Sequence, residues 1–158
     1  MDKHKFPKKP VGEILVEEGL LDARDLKEGL EIQKKEGGLI GAILVKKGCL
    51  SEEGLIAALS KQLNIPFIRL NRYNVNRNAL KLIPKEVAAR FLIFPFEEIA
   101  GTMCFAMAEP QNGEALSAIE KRIPSRVDIF LATPSDIQEA IELYYAGEGA
   151  EAEEAERR

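Results

Sequence analysis

The segment Pro10–Gln62 is a tandem repeat, and a repeat reveals the structural unit before any single residue does. PVGEILVEEGLLDARDLKEGLEIQ (Pro10–Gln33) superimposes on LIGAILVKKGCLSEEGLIAALSKQ (Leu39–Gln62) after a gapless shift of 29 positions. Gly12, Ile14, Leu15, Val16, Gly19, Leu21, Leu26, Leu30 and Gln33 recur as Gly41, Ile43, Leu44, Val45, Gly48, Leu50, Leu55, Leu59 and Gln62, nine identities in 24 positions. Residues 34–38 join the copies, and Gly37-Gly38 marks a turn there.

Each copy reads as a short apolar helix, a turn and a longer helix. Gly19 and Gly48 stand where the stem must stop, because glycine takes the left-handed conformation that ends a helix. Asp22 and Ser51 are the expected N-caps of the second helices. Leu26 and Leu30, and their mates Leu55 and Leu59, lie at i, i+4 on one helix face. One such unit is too small to bury its own stripe, so the two copies are expected to pack together with approximate two-fold likeness. A helical hairpin pair holding no ligand satisfies the same pattern.

After Gln62 the pattern changes. Residues 63–70 (LNIPFIRL) read as a short edge strand with Pro66 near its start. Asn71–Asn78 is a polar loop, and 79–83 one helical turn. Pro84 opens a helix to about Arg90. Phe91–Phe96 and Thr102–Ala108 form a hairpin around Gly101. Glu114–Arg122 is an amphipathic helix, and Val127–Leu131 an alternating strand. Thr133–Asp136 opens a last helix to about Tyr145. The fold class is therefore α+β: a tandem helical repeat (10–62, copies 10–33 and 39–62), then a sandwich-like module (63–145) of about four strands with helices on one face. Residues 1–9 read as a flexible basic arm and 146–158 as a charged tail or linker.

Composition narrows the function. A net charge of -4 argues against binding a nucleic-acid polymer. No apolar run approaches the roughly 20 residues of a membrane-spanning helix, and the basic N-terminus has no apolar stretch behind it. Cys49 and Cys104 lack zinc-site spacing, so no metal is expected, and reduced thiols suit the cytoplasm. No phosphate-cradling Gly-x4-Gly-Lys-Ser/Thr loop is present. The sole histidine, His4, falls in the N-terminal arm. Glu17-Glu18, Glu52-Glu53 and Glu97-Glu98 read as solvated carboxylates. No catalytic residue is expected, nor a required cofactor.

The doubled surface suits a ligand with two like halves. Leucines pack on ring faces, glutamine pairs with base edges, and backbone N–H groups near glycines meet phosphates. A cyclic dinucleotide has those features. The leucines serve equally well as interior core, and Gln33 and Gln62 as helix C-terminal caps.

The repeat resembles the MshEN-type module, the N-terminal domain of type II secretion and type IV pilus assembly ATPases (the GspE N-terminal domain family). The family pattern is roughly Arg-Leu-Gly-x-x-Leu-Val-x-x-Gly-Leu-Ile-x4-Leu-x3-Leu-x2-Gln, twice, with a five-residue spacer. Downstream, NIPFIRL, LIPKEVAARFLIFPF, MCFAMAEPQN and VDIFLATPSDIQEAIELYY match the family's usual run, so the resemblance covers about residues 10–145. It implies a non-catalytic regulatory or docking domain. The partner would be a machinery protein, either an inner-membrane assembly component or the cognate ATPase domain. The protein would be cytoplasmic, without membrane insertion, and recruited to the inner membrane through that partner.

The resemblance also implies an alternative, a cyclic di-GMP receptor. Its site would use Val11, Gly12, Leu26, Leu30 and Gln33 with their mates Ile40, Gly41, Leu55, Leu59 and Gln62. Pro10 and Leu39 stand where the pattern opens with arginine. Losing a charge-assisted contact twice costs on the order of 2–6 kcal/mol, enough to weaken a micromolar site to millimolar or beyond. An exposed leucine groove would favour the receptor, and leucines buried against one another would favour docking.

Overall fold

The computed structural model describes residues 9–157, with side chains through Tyr145. His4 and most of the N-terminal arm lie outside the described residues. The repeat forms four helices: α1 (Val11–Glu17), α2 (Ala23–Glu36), α3 (Ile40–Lys46) and α4 (Glu52–Leu63). Both stems end as their glycines require. Gly19 N–H donates to Val16 O and Leu20 N–H to Leu15 O, while Gly48 and Cys49 do the same to Val45 and Leu44. Gly19 and Gly48 have φ of 75° and 81°, the left-handed value that a Cβ penalises. Asp22 caps α2 by accepting from Arg24 N–H at 3.3 Å, and Ser51 caps α4 by accepting from Gly54 N–H at 3.0 Å.

The stems lie close to the leucines of the longer helices because the motif glycines leave room. A Cβ on Gly12 would stand 2.5 Å from Leu26 Cδ1, and one on Gly41 would stand 3.1 Å from Leu55 Cδ2. Gly29 does the same on α2, where an added Cβ would meet Leu44 Cδ2 at 2.9 Å. Leu15, Leu44, Leu55 and Leu59 are fully buried in the core of the repeat. Each such side chain contributes about 1.5–3 kcal/mol through removal from water.

The rest of the chain builds a three-stranded sheet in the order β1-β2-β3, with β1 at Ile93–Ile99, β2 at Thr102–Met107 and β3 at Arg126–Leu131. β1 and β2 are antiparallel, joined through Ala100 and Gly101 at φ 50° and 82°, the positive values that a two-residue hairpin with the right twist needs. Pro95 has no N–H to donate, and the register shifts between Pro95 and Glu97. The freed Phe96 carbonyl accepts from Asn76 N–H at 2.9 Å instead. β2 and β3 are parallel, so the chain must cross over, and α6 (Gly113–Arg122) makes the crossing. Before the sheet come 3-10 turns at Leu70–Arg72 and Arg77–Leu82 and helix α5 (Lys85–Phe91). After it comes α7 (Pro134–Arg157).

Two expectations are corrected. Residues 63–70 do not form a fourth strand. Leu63 is the last residue of α4, Asn64 ends that helix at φ 54°, and a 3-10 turn starts at Leu70. Only one parallel bridge fits between, with Leu131 N–H donating to Pro66 O and Ile68 N–H to Leu131 O, both at 2.8 Å. The final helix also does not stop near Tyr145. The alanine- and glutamate-rich segment expected as a tail continues α7, in keeping with the helix preference of those residues.

Two hydrophobic cores result, and residues are exchanged between them. Leu39, at the start of the second copy, joins the core of the sheet, while Leu131 of β3 joins the core of the repeat. The junction therefore constrains the second copy more than the first. Gly41→Ala is expected to destabilise the protein by about 1–3 kcal/mol, because its Cβ would also stand 2.7 Å from a buried carboxylate oxygen of Glu109. Gly12→Ala should stay within about 1 kcal/mol of the parent, since half-buried Leu26 can swing aside and alanine favours the helix. Urea midpoints of the two variants decide this, and equal losses would refute it.

Candidate functional site

Where the repeat meets the sheet module lies a cleft of about 870 Å³. Pro10, Gln33 and the Gly37–Leu39 turn form one wall, and Arg90, Phe91 and the Glu109–Glu114 loop form the other. Val11 and Leu59 stand behind it. The loop reaches the cleft because β2 ends at Met107 and Asn112 caps α6, accepting from Glu114 N–H at 3.0 Å and Ala115 N–H at 3.2 Å.

The ten residues expected to hold a ligand are not presented together. Val11, Ile40, Leu55 and Leu59 are buried, Leu26 is half-buried, and Leu30 is 41% exposed while its mate Leu59 is fully enclosed. Gly12 and Gly41 face Leu26 and Leu55, as described above. Gln33 Nε2 donates to Gly38 O at 2.9 Å, tying down its own turn, and Gln62 Nε2 donates to Glu18 Oε1 across the repeat. Of the ten, Val11, Gln33 and Leu59 border the cleft.

Sequence reading missed Glu109. Its carboxylate is 8% exposed and accepts from the Gly41 N–H at the start of α3. Burial pushes its pKa up from 4.5 to about 7, against the opposing pull of that N–H. The residue sits in AMAEPQN at a strand end, where nothing in the sequence marks it as enclosed. Arg90 was passed over as well. It is the only cation lining the cleft among the described residues, against Glu36, Glu109 and Glu114.

Other carboxylates read as solvated have definite partners. Glu97 accepts from Tyr73 Oη at 3.3 Å and Asn76 Nδ2 at 3.2 Å. The Glu98 N–H first, and then Asn76, hold its pKa below the ordinary range. Glu52 accepts from Ser135 N–H at 2.8 Å at the first turn of α7. These contacts tie elements together, and the three glutamate pairs do not converge on one cleft. Among the described residues, no group of three or more His, Cys, Asp or Glu could hold a metal ion. Among them too, no helix is long and apolar enough to cross a membrane.

A model of the MshEN domain family matches residues 63–151. The type IV pilus assembly ATPase PilB of Myxococcus xanthus is 36% identical over 144 residues, covering 91% of this chain and 25% of the relative. The chain thus spans about a quarter of the length of that relative. A solved structure of MshE with cdg is 30% identical, with a TM-score of 0.66, covering 87% of this chain and 99% of that one. The N-terminal domain of XpsE shares the fold at 18% identity, with a TM-score of 0.68 and coverage of 89% and 96%.

The raised Glu109 pKa makes stability depend on pH. The unfolded chain releases this proton near 4.5 and the folded chain near 7. Between those values the folded state holds more protons, so stability falls as pH rises. The contribution is complete below about pH 4.5 and lost above about pH 7, with a size on the order of 3 kcal/mol. Glu109→Gln keeps an acceptor for the Gly41 N–H and has no charge to bury. The variant should be more stable than the parent at pH 8 and close to it at pH 4. Parallel melting curves across that range would refute the assignment.

Proposed function

The chain belongs to the MshEN domain family, and from that premise we propose that it is a non-catalytic regulatory or docking domain of a type IV pilus or type II secretion ATPase system. It binds a partner protein of the machine, either an inner-membrane assembly component or the cognate ATPase domain. It acts in the cytoplasm, and the partner recruits it to the inner membrane. The observation that carries this reading is the inward use of the repeat motif. The glycines admit leucines, the glutamines hold a turn and a neighbouring helix, and Leu55 and Leu59 are enclosed. What the repeat offers to solvent includes Leu30 on α2 and Leu20 in the turn before it, each 41% exposed.

A second reading is a cyclic di-GMP receptor. It is supported by the roomy cleft at the repeat and by the likeness to MshE, whose structure was solved with cdg. Volumes of this order suit a small-molecule site. The missing arginines weaken it unevenly. Pro10 is exposed and could be replaced by arginine without disturbing the fold. Leu39 is only 6% exposed and belongs to the core of the sheet, so arginine there would have to leave that core.

The docking reading predicts that purified chain binds one of the two proposed partners, and that Leu30→Glu weakens this at least about tenfold, the worth of one apolar anchor, without lowering Tm. Absence of binding to either partner, or indifference to Leu30→Glu, would count against it. The receptor reading predicts saturable heat on calorimetric titration with cyclic di-GMP, made tighter by Pro10→Arg. Silence from both chains would remove the nucleotide.

A further inference from the structure

We propose that Arg90 reads the guanine base of a cyclic dinucleotide held in the cleft, the part left open by Pro10 and Leu39. The proposal rests on the receptor reading. Arg90 is the penultimate residue of α5 and lines the cleft from the side of the sheet module. Its Cζ lies 5.1 Å from the centroid of the Phe91 ring. Phe91 is half-buried and packed against the core of the sheet, so the cation rests on an anchored surface. Stacking of this kind holds the guanidinium plane and leaves its edge free to donate. Among the described residues Arg90 is exposed and takes part in no ion pair.

The charge balance of the cleft selects what that edge can meet. Three carboxyl groups, Glu36, Glu109 and Glu114, share the lining with one cation. A phosphodiester would be repelled more than attracted, and is better placed at the open mouth. A guanine base is neutral and carries both kinds of edge. Its O6 and N7 accept two parallel bonds from an arginine, and its N1–H and N2–H groups donate to carboxylates. Glu36 and Glu114, both exposed and both lining the cleft, are the carboxylates available to receive them. Adenine presents an N6–H donor where guanine has O6, so it would set donor against donor at Arg90. Arg90 thus becomes the determinant of guanine over adenine, supplied from the second module rather than from the repeat.

The test is calorimetric titration of the full chain, Arg90→Ala and Arg90→Lys with cyclic di-GMP and with cyclic di-AMP. The parent should prefer cyclic di-GMP. Arg90→Ala should weaken cyclic di-GMP roughly 10- to 100-fold, the worth of one bidentate base contact. It should leave cyclic di-AMP within about twofold, a difference too small to reflect a lost hydrogen bond. Arg90→Lys keeps the charge without the planar fork and should also lose the preference, with Tm unchanged. If Arg90→Ala weakens both ligands alike, the residue acts as a charge and does not read the base, and the proposal fails. If Arg90→Ala changes neither affinity, the proposal fails while the receptor reading stands. If the parent binds neither ligand, both fall together.

Discussion

The close approach of a short helix to a leucine, which a glycine permits, is the contact on which the repeat is built, with little slack at Gly41 and more at Gly12. Gly12 against Leu26 and Gly41 against Leu55 are the same contact made twice. A seven-residue helix is too short to be stable alone, so α1 and α3 must take their stability from packing. Close approach brings Leu15 and Leu44 to full burial. Those contacts in turn fix where the glycine-terminated turns place α2 and α4. The recurrence of glycine and leucine at one spacing is therefore explained by packing before any ligand is considered.

The second copy carries a further obligation, because it packs into the junction with the sheet module. Leu39 enters the core of the sheet, Leu131 enters the core of the repeat, and Glu109 accepts from the Gly41 backbone between them. This breaks the likeness of the copies. Leu59 is enclosed, while Leu30, the same letter at the same motif position, is left half open. The junction is also where a carboxyl is kept at the edge of ionisation in the physiological range. Burying it tends to keep it neutral, and the single N–H directed at it is not enough to offset the desolvation.

Much of this was legible in the sequence, and what was not legible has a common cause. The stem-ending glycines, the caps Asp22 and Ser51, the hairpin at Gly101 and the α+β class all rest on local rules, and all were readable. The missing fourth strand rests on competition. Residues 63–70 have strand composition, but α4 claims one end and a 3-10 turn the other, so one bridge remains. The site was half readable. Periodicity placed Leu26, Leu30, Leu55 and Leu59 on helix faces, but it could not say which face the sheet would cover. Glu109 and Arg90 had no local signature. They matter because the chain brings Glu109 against Gly41 and places Arg90 in the cleft that Gln33 also lines, each from more than 50 residues away, and that is a property of the packing alone.

The departures at Pro10 and Leu39 acquire a physical sense from this. An arginine at the Leu39 position would place a charge where the two cores exchange residues, and burying it without a partner is costly. Leucine instead adds apolar area to the junction and so ties the repeat to the sheet. At Pro10 the residue is exposed and its carbonyl accepts the first bonds of α1, from Glu13 and Ile14 N–H. Proline at that point presets the entry angle of the stem. Both replacements exchange a cation offered to a ligand for rigidity in the module. In this chain the cation lining the cleft, among the described residues, comes from the opposite wall. There, Arg90 lies one residue before the end of α5, over the ring of Phe91.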